Sequence, residues 1–129
     1  MKRIIMSVAI ATSLIVPSAA LACEGDAHQA KVAAPTRVTV GELAELQKSK
    51  KVTPIDANNQ GTREKYGIIP GAVLLTSSSA FEAKELPADK ASKLVFYCAN
   101  DRCTASESAA KRAIENGYTN VAVLPDGIQ

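Results

Sequence analysis

Cys98 and Cys103 stand five positions apart in "VFYCANDRCTAS", between a short apolar run and a stretch of helix formers, in a chain with only three cysteines. An ionised thiol is a strong nucleophile, and two thiols can exchange with each other. Three kinds of chemistry are therefore open: covalent group transfer on Cys98, dithiol exchange between the pair, or none, with Cys98 an inert cysteine closing a core strand. A helix that opens directly after the loop would turn backbone N–H groups and its positive dipole end toward the sulfur. On that ground Cys98 is expected to have a lowered pKa, with Arg102 adding a positive charge nearby. The only histidine, His28, lies far upstream. No Cys–His pair is in view, so activation must come from the loop and the helix start.

The elements that would hold these thiols alternate along the chain. "RVTV" is a short β-branched run, and "GELAELQKSKK" puts Leu43 and Leu46 on one helical face. "VTPIDA" predicts a strand ending at Asp56. "NQGTREKYG" predicts a polar loop with about one helical turn, in which Lys65 and Tyr66 are candidates for the mouth of a site or simply a solvated face. "IIPGAVLLT" carries a Pro-Gly turn into another strand, and "SSSAFEAKELPADK" predicts a loop or short helix broken at Pro87. "KLVFYC" is an apolar run after its lysine, of the sort a central parallel strand buried on both faces shows. "TASESAAKRAIENG" predicts a helix with Thr104 and Glu107 as a capping box, Ala109 and Ile114 on its apolar face, and Gly117 as its stop. "NVAVLP" is the last strand. The expected fold is a small α/β domain, a parallel sheet with helices on both faces. Reacting groups in such sheets gather at the carboxyl ends of strands, where Cys98 stands.

Residues 1–22 read as a secretory signal: Lys2 and Arg3, an apolar run over 4–16, and a small-x-small site ending at Ala22. The apolar run is shorter than the ~20 residues of a membrane span. Cleavage after Ala22 would leave Cys23 first and send the protein to the periplasm or outside, a disulfide-permissive compartment. Lipid anchoring at Cys23 is the alternative, disfavoured because Ala20 stands where lipoprotein signals usually carry leucine. Residues 23–36 read as a flexible leader and 37–129 as the domain. Cys23, Glu24, Asp26 and His28 could in principle ligate a metal, but an incidental cluster in a tail is the preferred reading, and neither metal nor cofactor is expected. The chain has 15 Lys+Arg against 13 Asp+Glu, and two of the basic residues lie in the signal. The remainder is balanced in charge, with no basic face interleaved with aromatics, so nucleic acid is not an expected partner.

From Val52 to Gln129 the sequence resembles a single-domain rhodanese, the sulfurtransferase family. The resemblance rests on the strand ending in Asp56, on Gly67-Ile68-Ile69-Pro70-Gly71-Ala72, on the strand, cysteine and loop of "VFYCANDRCTAS", and on the closing "GYTNVAVLPDGI". It implies that Cys98 is the nucleophile and carries sulfane sulfur as a persulfide. The active-site loop would be Ala99, Asn100, Asp101, Arg102, Cys103 and Thr104, with Asp56 in support. It further implies a small sulfur donor such as thiosulfate or a persulfide, a thiol acceptor, and covalent catalysis with neither metal nor organic cofactor.

The chain departs from the family pattern in three places. Cys103 stands where many members carry an arginine, which bears on thiosulfate binding. The usual D-x-R reads Asp56-Ala57-Asn58, so a second positive group is missing. The tryptophan and closing helix that normally follow the D-G-I turn do not follow it here, and the domain is expected to lack that helix. Related phosphatases and arsenate reductases use Cys-x5-Arg; counted from Cys98 that arginine would be Thr104, so phosphatase chemistry is not expected. Cys103 itself has three readings: a resolving thiol, a small residue filling the first helical turn, or half of a structural bridge. The alternatives to sulfur transfer are a thiol–disulfide redox protein using Cys98 and Cys103, and a non-catalytic rhodanese-like binding module.

Overall fold

The computed structural model describes residues 33–129. The signal read over 1–22, the first part of the leader and the Cys23–His28 cluster lie outside the described residues. Five strands form one parallel sheet: β1 (Thr36–Arg37), β2 (Thr53–Asp56), β3 (Val73–Leu74), β4 (Leu94–Tyr97) and β5 (Val121–Leu124). Their spatial order is β1-β5-β4-β2-β3. Helices α1 (Val40–Lys48), α2 (Gln60–Tyr66) and α3 (Ala105–Glu115) connect them, with a 3-10 turn over Ala83–Glu85 before β4.

β4 is the centre, paired with β5 on one side and β2 on the other, and all four of its residues are buried. Side chains alternate across a strand, so Leu94 and Phe96 enter one layer and Val95 and Tyr97 the other. The first layer also holds Ile55, Leu75, Phe81, Val123 and the α3 alanines Ala109, Ala110 and Ala113. The second holds Val38, Ala122, Leu124 and Leu43 from α1. Burying side chains such as Phe81, Phe96 and Ile55 contributes roughly 1.5–3 kcal/mol each. Helices thus cover both faces, as the alternation predicts.

Local details differ from the sequence reading. The first strand is Thr36–Arg37 rather than all of "RVTV"; Val38 enters the core and Thr39 becomes the N-cap of α1. Thr39 and Glu42 form a reciprocal capping box there, with the Glu42 N–H donating to Thr39 Oγ1 at 3.2 Å and the Thr39 N–H to Glu42 Oε2 at 2.7 Å. The box expected at Thr104 and Glu107 is absent. Thr104 has helical backbone angles (φ −91°, ψ −1°), whereas a cap needs the extended conformation for its hydroxyl to reach forward. Glu107 instead pairs with Arg37 at 3.1 Å. The "NQGTREKYG" stretch forms a two-turn helix rather than one turn, because the Asn59 side chain caps it at the Thr62 N–H, 2.9 Å away.

Candidate functional site

After β2 the chain turns toward β3, and after β4 it turns the other way toward β5. The two adjacent strands therefore part company at their carboxyl ends, the switch point at which open α/β sheets make clefts. Asp56 ends one of these strands, and Cys98 directly follows the other. A cavity of about 350 Å³ opens there, walled by residues after β2, residues after β3 and the loop after β4.

Cys98 follows Tyr97 and so points to the opposite layer, beneath the start of α3. It is 1% exposed. Its thiol donates to the Cys103 carbonyl oxygen at 3.1 Å, and its sulfur lies 3.4 Å from the Ser106 hydroxyl and 3.9 Å from the Asn100 carbonyl oxygen. The loop closes on itself through the Cys103 N–H, which donates to the Asn100 carbonyl at 3.1 Å. Residues after β5 clasp it from outside: the Ile128 N–H donates to the Cys98 carbonyl at 3.0 Å, and the Gln129 N–H to the Ala99 carbonyl at 3.1 Å.

Burial pushes the Cys98 thiol above its ordinary pKa, and the adjacent Cys103 sulfur adds to this, against a smaller opposing pull from the Ser106 hydroxyl and backbone. The lowered pKa expected from a helix start is not met in this form of the protein, because desolvation outweighs the helix end. Cys103 behaves in the opposite sense. Burial raises it too, but hydrogen bonding from the Cys98 thiol and from backbone at Ala99 and Ala105 outweighs burial and leaves Cys103 below the ordinary thiol range. Cys98 and Cys103 are both free thiols, and Cys103, half-buried, is part of the cavity wall.

The remaining loop residues divide. Asn100 Oδ1 accepts the Arg102 N–H at 3.1 Å, and its amide nitrogen donates to Gln129 Oε1 at 3.1 Å, so it shapes the loop. Ala99 lines the cavity. Asp101 and Arg102 are exposed, and the Arg102 guanidinium has no hydrogen bond or ion pair among the described residues. The positive charge expected beside Cys98 is not supplied from there. Lys65 and Tyr66 are exposed, stack on one another at 4.8 Å, and take no part in the cavity wall.

Asp56 is fully buried and acts as a brace. Its Oδ1 accepts the Asn58 N–H at 2.7 Å, and its Oδ2 accepts the Tyr97 hydroxyl at 2.9 Å. That hydroxyl in turn accepts the Ile69 N–H at 3.1 Å. Burial pushes the Tyr97 phenol far above its ordinary pKa, the Ile69 N–H opposes this, and Asp56 adds to it; the group stays protonated and donating. Sequence reasoning missed Arg63. Its Nε lies 3.4 Å from Asp56 Oδ2, and its Nη2 donates to the carbonyls of Asp56 and Leu75 at 3.1 and 2.9 Å. Asn58 occupies the position where the family motif has arginine. The guanidinium that neutralises Asp56 comes from α2 instead, tied to the scaffold rather than aimed at the cavity.

A buried thiol at the switch point of a parallel sheet, beneath a helix start and inside a tight loop, defines an α/β domain with a cysteine-bearing loop at its central strand. A family model described as Rhodanese-like domain matches residues 39–129, and the chain belongs to that family. No curated protein matches the chain. Among solved structures, the BH2092 protein of Bacillus halodurans is similar with a TM-score of 0.61 and 20% identity, covering 72% of this chain and 68% of that one. A Rhodopseudomonas palustris protein of unknown function, RPA3614, described as a possible tyrosine phosphatase, has a TM-score of 0.57 and 26% identity, over 72% and 76% of the two chains. The human single-domain sulfurtransferase TSTD1 has a TM-score of 0.56 and 24% identity, over 74% and 92%. Among the described residues no helix is long and apolar enough to cross a membrane.

Proposed function

We propose that the protein is a sulfurtransferase or persulfide carrier in which Cys98 holds sulfane sulfur, working in the periplasm or outside the cell. The observation that carries this reading is the position of Cys98, at the carboxyl end of the central strand and under the opening turn of α3. The first N–H groups of a helix have no partner within it, and they are suited to hold the negative terminal sulfur of a persulfide. In the first half-reaction the Cys98 sulfur bonds to the outer sulfur of the donor, and the donor's S–S bond breaks. Sulfite leaves from thiosulfate, or a thiolate from a persulfide. In the second, an acceptor thiolate takes the outer sulfur, and Cys98 departs with its electron pair. With Arg102 turned to solvent, a persulfide donor fits this site better than a dianion. The family match and the sulfurtransferase among the fold relatives support the class; the secretory signal supports the compartment.

The test is to load the protein with a polysulfide, remove excess donor, alkylate in acid and digest with trypsin. Cleavage after Lys93, Arg102 and Lys111 separates Cys98, in the peptide 94–102, from Cys103, in the peptide 103–111. The expected result is one added sulfur retained on the first peptide and lost in Cys98→Ser. Absence of added sulfur from peptide 94–102 of the wild type would overturn the assignment.

A further inference from the structure

We propose that Cys103 is the port of this site: sulfur reaches and leaves the buried Cys98 by passing over the Cys103 sulfur, which faces the cavity. The inference rests on the sulfur-carrier reading above and deepens it. Cys98 is 1% exposed and takes no part in the cavity wall, whereas Cys103 does. A donor or acceptor in the cavity therefore meets Cys103 first. The two residues are packed together, with the Cys98 sulfur 3.1 Å from the Cys103 carbonyl oxygen.

Protonation supports the same division of labour. Of the two thiols Cys103 gives up its proton more readily, so the thiolate that forms first is on the residue lining the cavity, and the one inside stays a thiol. Loading then runs in two balanced steps. The Cys103 thiolate bonds to the outer sulfur of the donor, whose S–S bond breaks and whose remainder leaves with the electron pair. Cys98 next bonds to that terminal sulfur while its own proton passes to the departing Cys103 sulfur, which ends as a thiol. Discharge is the reverse, with an external thiolate taking the terminal sulfur from Cys103. Each step exchanges one S–S bond for another, and no oxidant or reductant is needed.

The wall also says what comes to the port. Asn58, Asn59, Thr62, Thr76, Ser77 and Ser78 line the cavity with amides and hydroxyls, and no Asp, Glu, Lys or Arg is among its lining residues. Asn58 is 7% exposed, and its amide nitrogen is buried with no hydrogen-bond partner. An unpaired buried donor is costly unless something accepts from it. Such a wall suits a small, uncharged thiol or its persulfide.

The experiment follows the two tryptic peptides in time after adding 2-mercaptoethanol persulfide to the full chain, then after chasing with 2-mercaptoethanol. In the wild type, added sulfur is expected on peptide 103–111 before peptide 94–102. In Cys103→Ser, loading and discharge of Cys98 are expected to slow by about tenfold or more, as loss of the positioned attacking thiolate implies. Unchanged rates in Cys103→Ser would overturn the port and leave the Cys98 carrier standing, as would wild-type labelling of peptide 94–102 with no earlier label on 103–111. A Cys98–Cys103 disulfide formed with release of hydrosulfide would also overturn it, in favour of dithiol chemistry. Absence of label from peptide 94–102 in the wild type would instead refute the carrier reading itself.

Discussion

Gly127 is the position where the backbone of one segment leans on the loop after Cys98, and replacing it with alanine isolates that contact. Its φ is +70°, and a Cβ there would lie 2.5 Å from both the carbonyl carbon and the carbonyl oxygen of Ala99. These are main-chain atoms, so no rotamer change relieves the overlap. The left-handed backbone costs an alanine about 1–2 kcal/mol. Forcing a methyl into a closed contact adds about 1–3 kcal/mol. Gly127→Ala is therefore expected to lose about 2–5 kcal/mol, measured by urea unfolding at constant slope. Gly71 supplies the control: its φ is +78°, but nothing lies within 4 Å of its Cβ site. Gly71→Ala should lose only the backbone part, about 1–2 kcal/mol. The overlap in Gly127→Ala pushes on the Ala99–Asn100 peptide, one residue beyond Cys98, so sulfur loading should slow there and not in Gly71→Ala. Equal stability losses in the two variants would refute the close approach.

Other consequences are open to similar measurement. Arg63→Ala leaves the buried Asp56 carboxylate without its cation; with the Tyr97 and Asn58 hydrogen bonds intact, the expected loss is about 3 kcal/mol by thermal or urea unfolding. Thr39→Ala should cost about 1 kcal/mol and Thr104→Ala under about 0.5 kcal/mol, although both residues begin a Thr-x-x-Glu sequence; the reverse ranking would contradict the cap geometry. Because Cys103 is held below and Cys98 above the ordinary thiol range, thiolate forms on Cys103 first as pH rises. Iodoacetamide should accordingly label peptide 103–111 at lower pH than peptide 94–102, and the opposite order would reverse the assignment.

The parts of the fold legible in the sequence were those written in local pattern. "KLVFYC" read as a strand covered on both sides, and β4 is buried throughout. Leu43 of α1 and the alanines of α3 faced inward as their spacing required, whereas Leu46, placed on the same face, is only half-buried. Misreadings came where distant contacts decide. Thr39-x-x-Glu42 and Thr104-x-x-Glu107 are the same motif, yet only the first caps, because the loop delivers Thr104 already helical and Arg37, 70 positions away, takes Glu107. The Arg63–Asp56 pair joins two elements whose residue types are unremarkable in a polar stretch. The position of Cys98 could be read from its strand; its pKa could not, since burial is a property of the assembled layers.

The alanines of α3 carry a consequence for the chemistry beyond filling space. Ala109, Ala110 and Ala113 are all fully buried against the sheet, and each offers a single methyl group. Side-chain size at a helix contact sets how near the axis can come to its neighbour. These three methyls therefore act as spacers that fix the height of the helix, and with it the clearance between its opening turn and the sulfur on the central strand. A valine or leucine at any of them would raise the whole cylinder and widen that gap while the loop sequence stayed intact. The placement of the helix over the Cys98 sulfur is thus distributed along α3, about one and two turns beyond the Ser106 hydroxyl that touches it.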